Sequence, residues 1–348
     1  MCAKRSIFLF LILIFSRIVV SAQAPVFSQY YSSGLYLNPA LSGLEKDIYL
    51  GMNYRSQWSN VNLPFNTFQF SFIHPLTKPG IHIKHLGGFG ASFLNDVAGP
   101  NREFVTQSVQ LSGAYNFHLN HFGNNILSAG LQLGATQQRV NYDALQWSSQ
   151  YNPVGGYDPS LSGESGAFNN QILSPAVNAG VMWYYTTRGR MSFRSSSVFT
   201  GLSVSNIMRP NGFMKDSKGA STILYKVHGG FSTLSKRKYE ISPNYLVQYQ
   251  NHNFQVNVGA YVSYYLQPFS LRRSAKTRKV IFGGWYRLRD AFIFSTGFST
   301  VAWNIGFSYD TNVSSMGRNL GSASAYELSL AYKITIQKDF KRFSSPLI

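Results

Sequence analysis

The sequence predicts an all-β fold: a transmembrane outer-membrane β-barrel of about 14 antiparallel strands, with 12 as the other count allowed, entered through an N-terminal lead-in that is not strand. Three observations predict it. Apolar and polar residues alternate in stretch after stretch, the period of a strand that turns successive side chains to opposite faces. Charged residues are only 13% of the 348 while aromatics reach 16%, with 22 Tyr and 27 Phe, a balance suited to a β-rich wall facing lipid. An export-type leader opens the chain, yet no later apolar run is long enough to cross a bilayer as a helix. Mean hydropathy of −0.10 also excludes a bundle of membrane helices.

Residues 1–22 read as a secretory signal. Lys4 and Arg5 form the charged start, Ile7 to Phe15 the apolar middle, and Val20-Ser21-Ala22 a small-residue cleavage site before Gln23. The sole cysteine, Cys2, lies in that leader, so the mature chain is expected to carry neither a disulfide nor a thiol site. Residues 23–46 show no lasting alternation and read as a lead-in to, or plug for, a barrel of residues 47–348.

Ribbons are predicted at 48–55, 65–73, 86–95, 103–118, 126–138, 173–186, 197–206, 222–234, 239–250, 253–266, 279–288, 291–299, 301–310 and 322–337. The last has the clearest pattern: Tyr326, Leu328, Leu330, Tyr332, Ile334 and Ile336 oppose Glu327, Ser329, Ala331, Lys333 and Thr335. Between Phe254 and Tyr264 a row of Val and Ala opposes Gln255, Asn257, Gly259, Tyr261 and Ser263. Most ribbons reach the 9–11 residues, roughly, that a tilted transmembrane strand needs. Lys or Arg on the lipid face near the midplane costs roughly 2–4 kcal/mol, and Lys226, Arg287, Glu327 and Lys333 all fall on the polar face of this register. Arg55, Lys226, Glu327 and Lys333 are therefore expected in the lumen, with Glu327 paired to Lys226, Lys333 or Arg55.

The formal charge is +18, and +15 once Lys4, Arg5 and Arg17 are removed. Export argues against nucleic acid as the acidic partner of such a surplus. With both ends of the barrel in the periplasm, the external loops include 139–172, 206–221 and 310–321. The opposite rim collects Lys236, Arg237, Lys238, Arg272, Arg273, Lys276, Arg278 and Lys279, among others. That rim suits either anionic headgroups or an acidic periplasmic partner.

No HExxH, GxSxG, CxxC or phosphate loop occurs. His82-x-x-His85 and His118-x-x-His121 fall at turns, where residues three apart do not converge reliably, so no metal is expected. Gly201-Leu202-Ser203 lies on a ribbon rather than a strand–turn–helix elbow. The chain reads as non-enzymatic, with no catalytic residue, cofactor or metal.

Phe27-Ser28-Gln29-Tyr30, followed by Asn38-Pro39-Ala40 and Gly43 and then Tyr54-Arg55-Ser56-Gln57-Trp58, resembles the start of the PorP/SprF family. Similar to that family in order are Gly90 to Gly99 with Asn95-Asp96, Gly130 to Gly134, Gly201-Leu202-Ser203 with Asn206, Trp285-Tyr286-Arg287 with Asp290-Ala291, and Gly306 to Asp310 leading to Tyr326-Glu327. The resemblance covers nearly all the mature chain and departs after Arg342-Phe343. It implies a type IX secretion system outer-membrane component with three kinds of partner: membrane lipid, periplasmic secretion components and exported adhesin C-terminal domains. Some such proteins support gliding motility. A diffusion channel for small solutes is the alternative, and large inward residues such as Trp285, Tyr261 and Tyr184 argue against it.

Overall fold

The computed structural model describes residues 25–59, 64–78, 84–121, 123–152, 155–161, 163, 171–188, 195–208, 222–235, 238–267, 278–314 and 324–336. The segment read as a leader lies outside them, as do Lys236, Arg237, Arg272, Arg273, Lys276 and His82. Fourteen antiparallel strands close into one barrel. They are β1 Ile48–Gln57, β2 Phe65–Lys78, β3 Lys84–Ala98, β4 Phe104–His118, β5 Asn125–Val140, β6 Gln171–Arg188, β7 Ser195–Ser205, β8 Leu224–Ser235, β9 Tyr239–Gln250, β10 Asn253–Tyr265, β11 Lys279–Arg287, β12 Ala291–Ser299, β13 Trp303–Asn312 and β14 Ser324–Ile334. Each pairs with its sequence neighbours, and β1 pairs with β14 to close the ring, so no edge remains to be covered. Among the described residues no helix is long and apolar enough to cross a membrane.

The predicted alternation sorts side chains as expected. Phe254, Val258 and Val262 of β10 and Leu328 and Ile334 of β14 are exposed on the outer face, while Asn257, Tyr261 and Ser263 and then Ala325, Glu327 and Ser329 are buried inside. Of the predicted ribbon ends, the one at 73 is furthest off: β2 continues through Pro75 to Lys78. A proline lacks the ladder donor and argues for a strand end. Here Pro75 lies opposite Gly88, and a register shift follows at Leu76/Thr77, so the ladder accommodates it with a bulge.

Within the barrel lies the lead-in. A short helix α1, Gly34–Leu37, runs into a 3-10 turn at Pro39–Gly43. Asn38 joins them: its extended backbone ends α1, and its side-chain oxygen accepts from the Ala40 N–H to cap the turn. Pro39 at the first turn position supplies a preset φ and no donor to satisfy. Tyr30, Tyr31, Leu35, Leu37, Ala40, Leu41 and Leu44 pack in one apolar cluster with Tyr49, Ile73, Ile126, Met182, Tyr184, Phe199 and Leu246 of the wall. Each Leu, Ile, Met or Phe among them taken from water contributes about 1.5–3 kcal/mol, an upper estimate against an extended chain. The core of this protein is thus inside the barrel, between wall and lead-in. A second buried cluster of Tyr261, Ile281, Trp285 and Ile293 lies on β10, β11 and β12, with the Tyr261 and Trp285 rings edge to face at 4.2 Å.

Candidate functional site

Barrel closure creates the site. Arg55 on β1 lies opposite Glu327 on β14, two residues separated by most of the chain and brought together only because the first and last strands pair. Glu327 lies opposite Ser308 of β13, and Asp310 is two residues further along the same inner face. Arg287 reaches the same point from the end of β11. Two guanidiniums and two carboxylates, each no more than 5% exposed, therefore meet inside the wall. Arg55 Nη2 contacts Asp310 Oδ2 at 2.7 Å, Arg287 Nη2 contacts the same oxygen at 3.0 Å, and Arg55 Nη1 lies 3.4 Å from Glu327 Oε2. The formal charges cancel, which is what makes the burial tolerable.

The ligand of this cluster is the lead-in itself. Ser28 Oγ accepts from Arg55 Nη1 at 2.6 Å and Arg287 Nη2 at 3.0 Å, and donates to Asp310 Oδ2 at 2.7 Å. The backbone N–H groups of Ser28 and Gln29 donate to the two Glu327 oxygens at 2.7 and 3.2 Å. Asn53 donates to Glu327 Oε1 at 3.2 Å, and Ser329 donates to Gln29 Oε1 at 2.7 Å. An extended dipeptide is thereby held by hydroxyl, backbone and amide at once, mostly through charge-assisted bonds.

Further along, Asn38 Nδ2 meets the Val181 and Leu202 carbonyls and His228 Nε2, while Tyr31 Oη lies 3.4 Å from His228 Nδ1. Ser203 Oγ donates to the Leu37 carbonyl at 2.7 Å, a bracing role for the serine of the Gly-Leu-Ser motif. Glycines on the wall make room for this path. A Cβ on Gly130 would lie 2.5 Å from Ala40 N, and one on Gly180 would lie 2.1 Å from Asn38 Oδ1. Glu45, where the lead-in approaches β1, receives Lys333 Nζ at 3.2 Å.

The residues read as lumenal occupy separate places. Arg55 is the partner of Glu327. Lys226 is buried elsewhere, donating to the Tyr36 carbonyl at 2.5 Å and standing 4.1 Å over the Tyr36 ring, and Lys333 takes Glu45. Phe27, Ser28, Gln29, Tyr30, Asn38 and Pro39 are all buried. Of the basic rim set, Lys238 and Arg278 are exposed, whereas Lys279 pairs with Glu240 at 3.4 Å inside the wall. The sequence reading did not assign Arg287, Asp310 and His228 to the site. The signal was present for all three: each falls on the polar face of its ribbon, and the first two sit in quoted motifs. Among the described residues no group of three metal-ligating side chains converges. His85 and His118 meet as neighbours on β3 and β4, where His118 Nε2 lies 2.9 Å from the His85 carbonyl.

Comparison with known proteins gives one family. A family model described as "Type IX secretion system membrane protein PorP/SprF" matches residues 19–332. No curated protein matches. Solved structures with a similar course include the CymD monoaromatic hydrocarbon channel (12% identity, 88% of this chain, 93% of that one, TM-score 0.43). A FadL homologue of Pseudomonas aeruginosa (11%, 86% and 93%, 0.42) and BamA of Haemophilus ducreyi (13%, 83% and 71%, 0.39) are others.

Proposed function

The chain belongs to the PorP/SprF family of type IX secretion system membrane proteins, and from that membership we propose that it is a non-enzymatic accessory of the secretion machinery rather than a pore. It sits in the outer membrane as a closed barrel. In this reading it supports export or surface attachment of adhesin-type cargo, and with it gliding. Its partners are periplasmic secretion components, docked on the basic rim, and the C-terminal domains of exported adhesins. The lead-in acts as a plug or brace, and the first 22 residues as its export signal.

The observation that carries the proposal is the occupied interior. A diffusion channel needs an open, polar lumen, whereas here the lead-in from Phe27 to Glu45 is buried at every residue but the half-buried Tyr36 and bonded to the wall along its length. Single-channel recording on the purified protein tests this, with no steady conductance expected. Large, unselective currents would favour a solute channel instead. A chromosomal deletion should reduce surface adhesins and spreading. A deletion strain unchanged in both would remove the secretion role.

A further inference from the structure

A cavity of about 410 Å³ opens on the rim opposite the start of β1 and the end of β14, lined by Asn101, Arg102, Arg139, Val140, Asn141 and Gln171. Its size is that of a small-molecule or headgroup site, roughly 300–1,000 Å³. Two features give it a chemistry. Arg102 and Arg139 have no carboxylate partner among the described residues, and Glu103 is turned back to accept from the Asn101 N–H at 3.2 Å. The second feature is what lies beneath. Arg139 stands opposite Gln171 in the β5–β6 register. By strand alternation both share a face with Leu133 and Leu173, which are 52% and 71% exposed on the apolar outside of the barrel.

We propose that this cavity binds the phosphate of a glycolipid headgroup in the outer leaflet. Two guanidinium forks suit a phosphate, because each offers parallel N–H donors at the spacing of its oxygens. Asn101, Asn141 and Gln171 add amides for the hydroxyls of a sugar. The exposed leucines below supply the surface for acyl chains, so headgroup and tail are met in the order in which a lipid presents them. Arginine is costly at the bilayer midplane but tolerated at headgroup depth, where it keeps its charge among phosphates. The leaflet follows from the topology proposed above, in which this rim faces outward.

The test is lipid retention by native mass spectrometry. The full-length barrel, delipidated in mild detergent, is mixed with diphosphorylated lipid A, dephosphorylated lipid A, phosphatidylglycerol or inorganic phosphate. The expected result is one diphosphorylated lipid A retained per barrel. Retention should be at least about tenfold weaker for the dephosphorylated lipid and for the Arg102→Gln/Arg139→Gln variant. Inorganic phosphate alone should not be retained. Equal retention of the two lipid A forms overturns the proposal, and that arm uses the unaltered protein, so it decides even where the double variant fails to fold. Preference for phosphatidylglycerol overturns the leaflet assignment. Phosphate bound as tightly as the lipid marks the cavity as a site for soluble anions instead.

Discussion

Glu327→Gln is nearly isosteric, and the geometry makes it severe. All four neighbours of the carboxylate are donors: Ser28 N at 2.7 Å and Arg55 Nη1 at 3.4 Å on Oε2, Gln29 N and Asn53 Nδ2 each at 3.2 Å on Oε1. An amide must turn its NH2 towards one of those pairs. Two donors then lose their acceptor, and each buried unsatisfied group costs about 1–3 kcal/mol. The same change removes one of two anions facing two cations, and breaking a buried pair costs about 3–5 kcal/mol. These costs overlap, and we expect about 3–4 kcal/mol in total. The loss falls on the lead-in, because β14 keeps its ladder bonds while Ser28 and Gln29 lose their holder. At about 1.4 kcal/mol per tenfold, local opening becomes a few hundred-fold more populated. Hydrogen exchange with mass spectrometry on the detergent-solubilised barrel reads this directly. Peptides covering 25–37 should exchange faster by that factor, with β14 and β1 unchanged. A change below about threefold, or an equal rise across all strands, would refute the role assigned to the carboxylate.

Gly130→Leu places a side chain where a bare Cβ already meets Ala40 N at 2.5 Å. Backbone cannot yield as a flexible side chain does, so the lead-in should leave its path and become cleavable by protease in a barrel that still resists it. Deleting residues 25–45 removes the lead-in and leaves only wall side chains inside, and the remaining barrel should show steady single-channel currents absent from the intact protein. Phe294→Arg puts a charge on the outer face of β12, where the ring is 63% exposed. The expected cost is about 2–4 kcal/mol, measured by reversible denaturant unfolding in liposomes, against little effect in detergent micelles.

The strand pattern was legible because a period of two is a local property, carried by neighbours in the chain. Glu327 and Lys226 could be placed inside from their own ribbons, and most strand ends fell within a few residues of the sequence reading. Strand β2 shows the limit of local reasoning: the ribbon read as ending at 73 runs on through Pro75, paired with Gly88, to a register shift at Leu76/Thr77. The choice among Arg55, Lys226 and Lys333 as partner of Glu327 stayed open for a different reason. Alternation says which face a residue is on but not which strand stands across the lumen.

Residue order alone determined the class of wall, its greasy and wet faces, and the family whose motifs it carries, while the closed ring settled the count at fourteen rather than twelve. Only the closed ring decided that Ser28, Arg55, Arg287, Asp310 and Glu327 share one point. Pairing the first strand with the last is a long-range event, and the lead-in's path depends on wall positions scattered over β1 to β14. No window of neighbouring residues contains that geometry. It exists once fourteen registers add up to a circle with room inside for one short segment of its own chain.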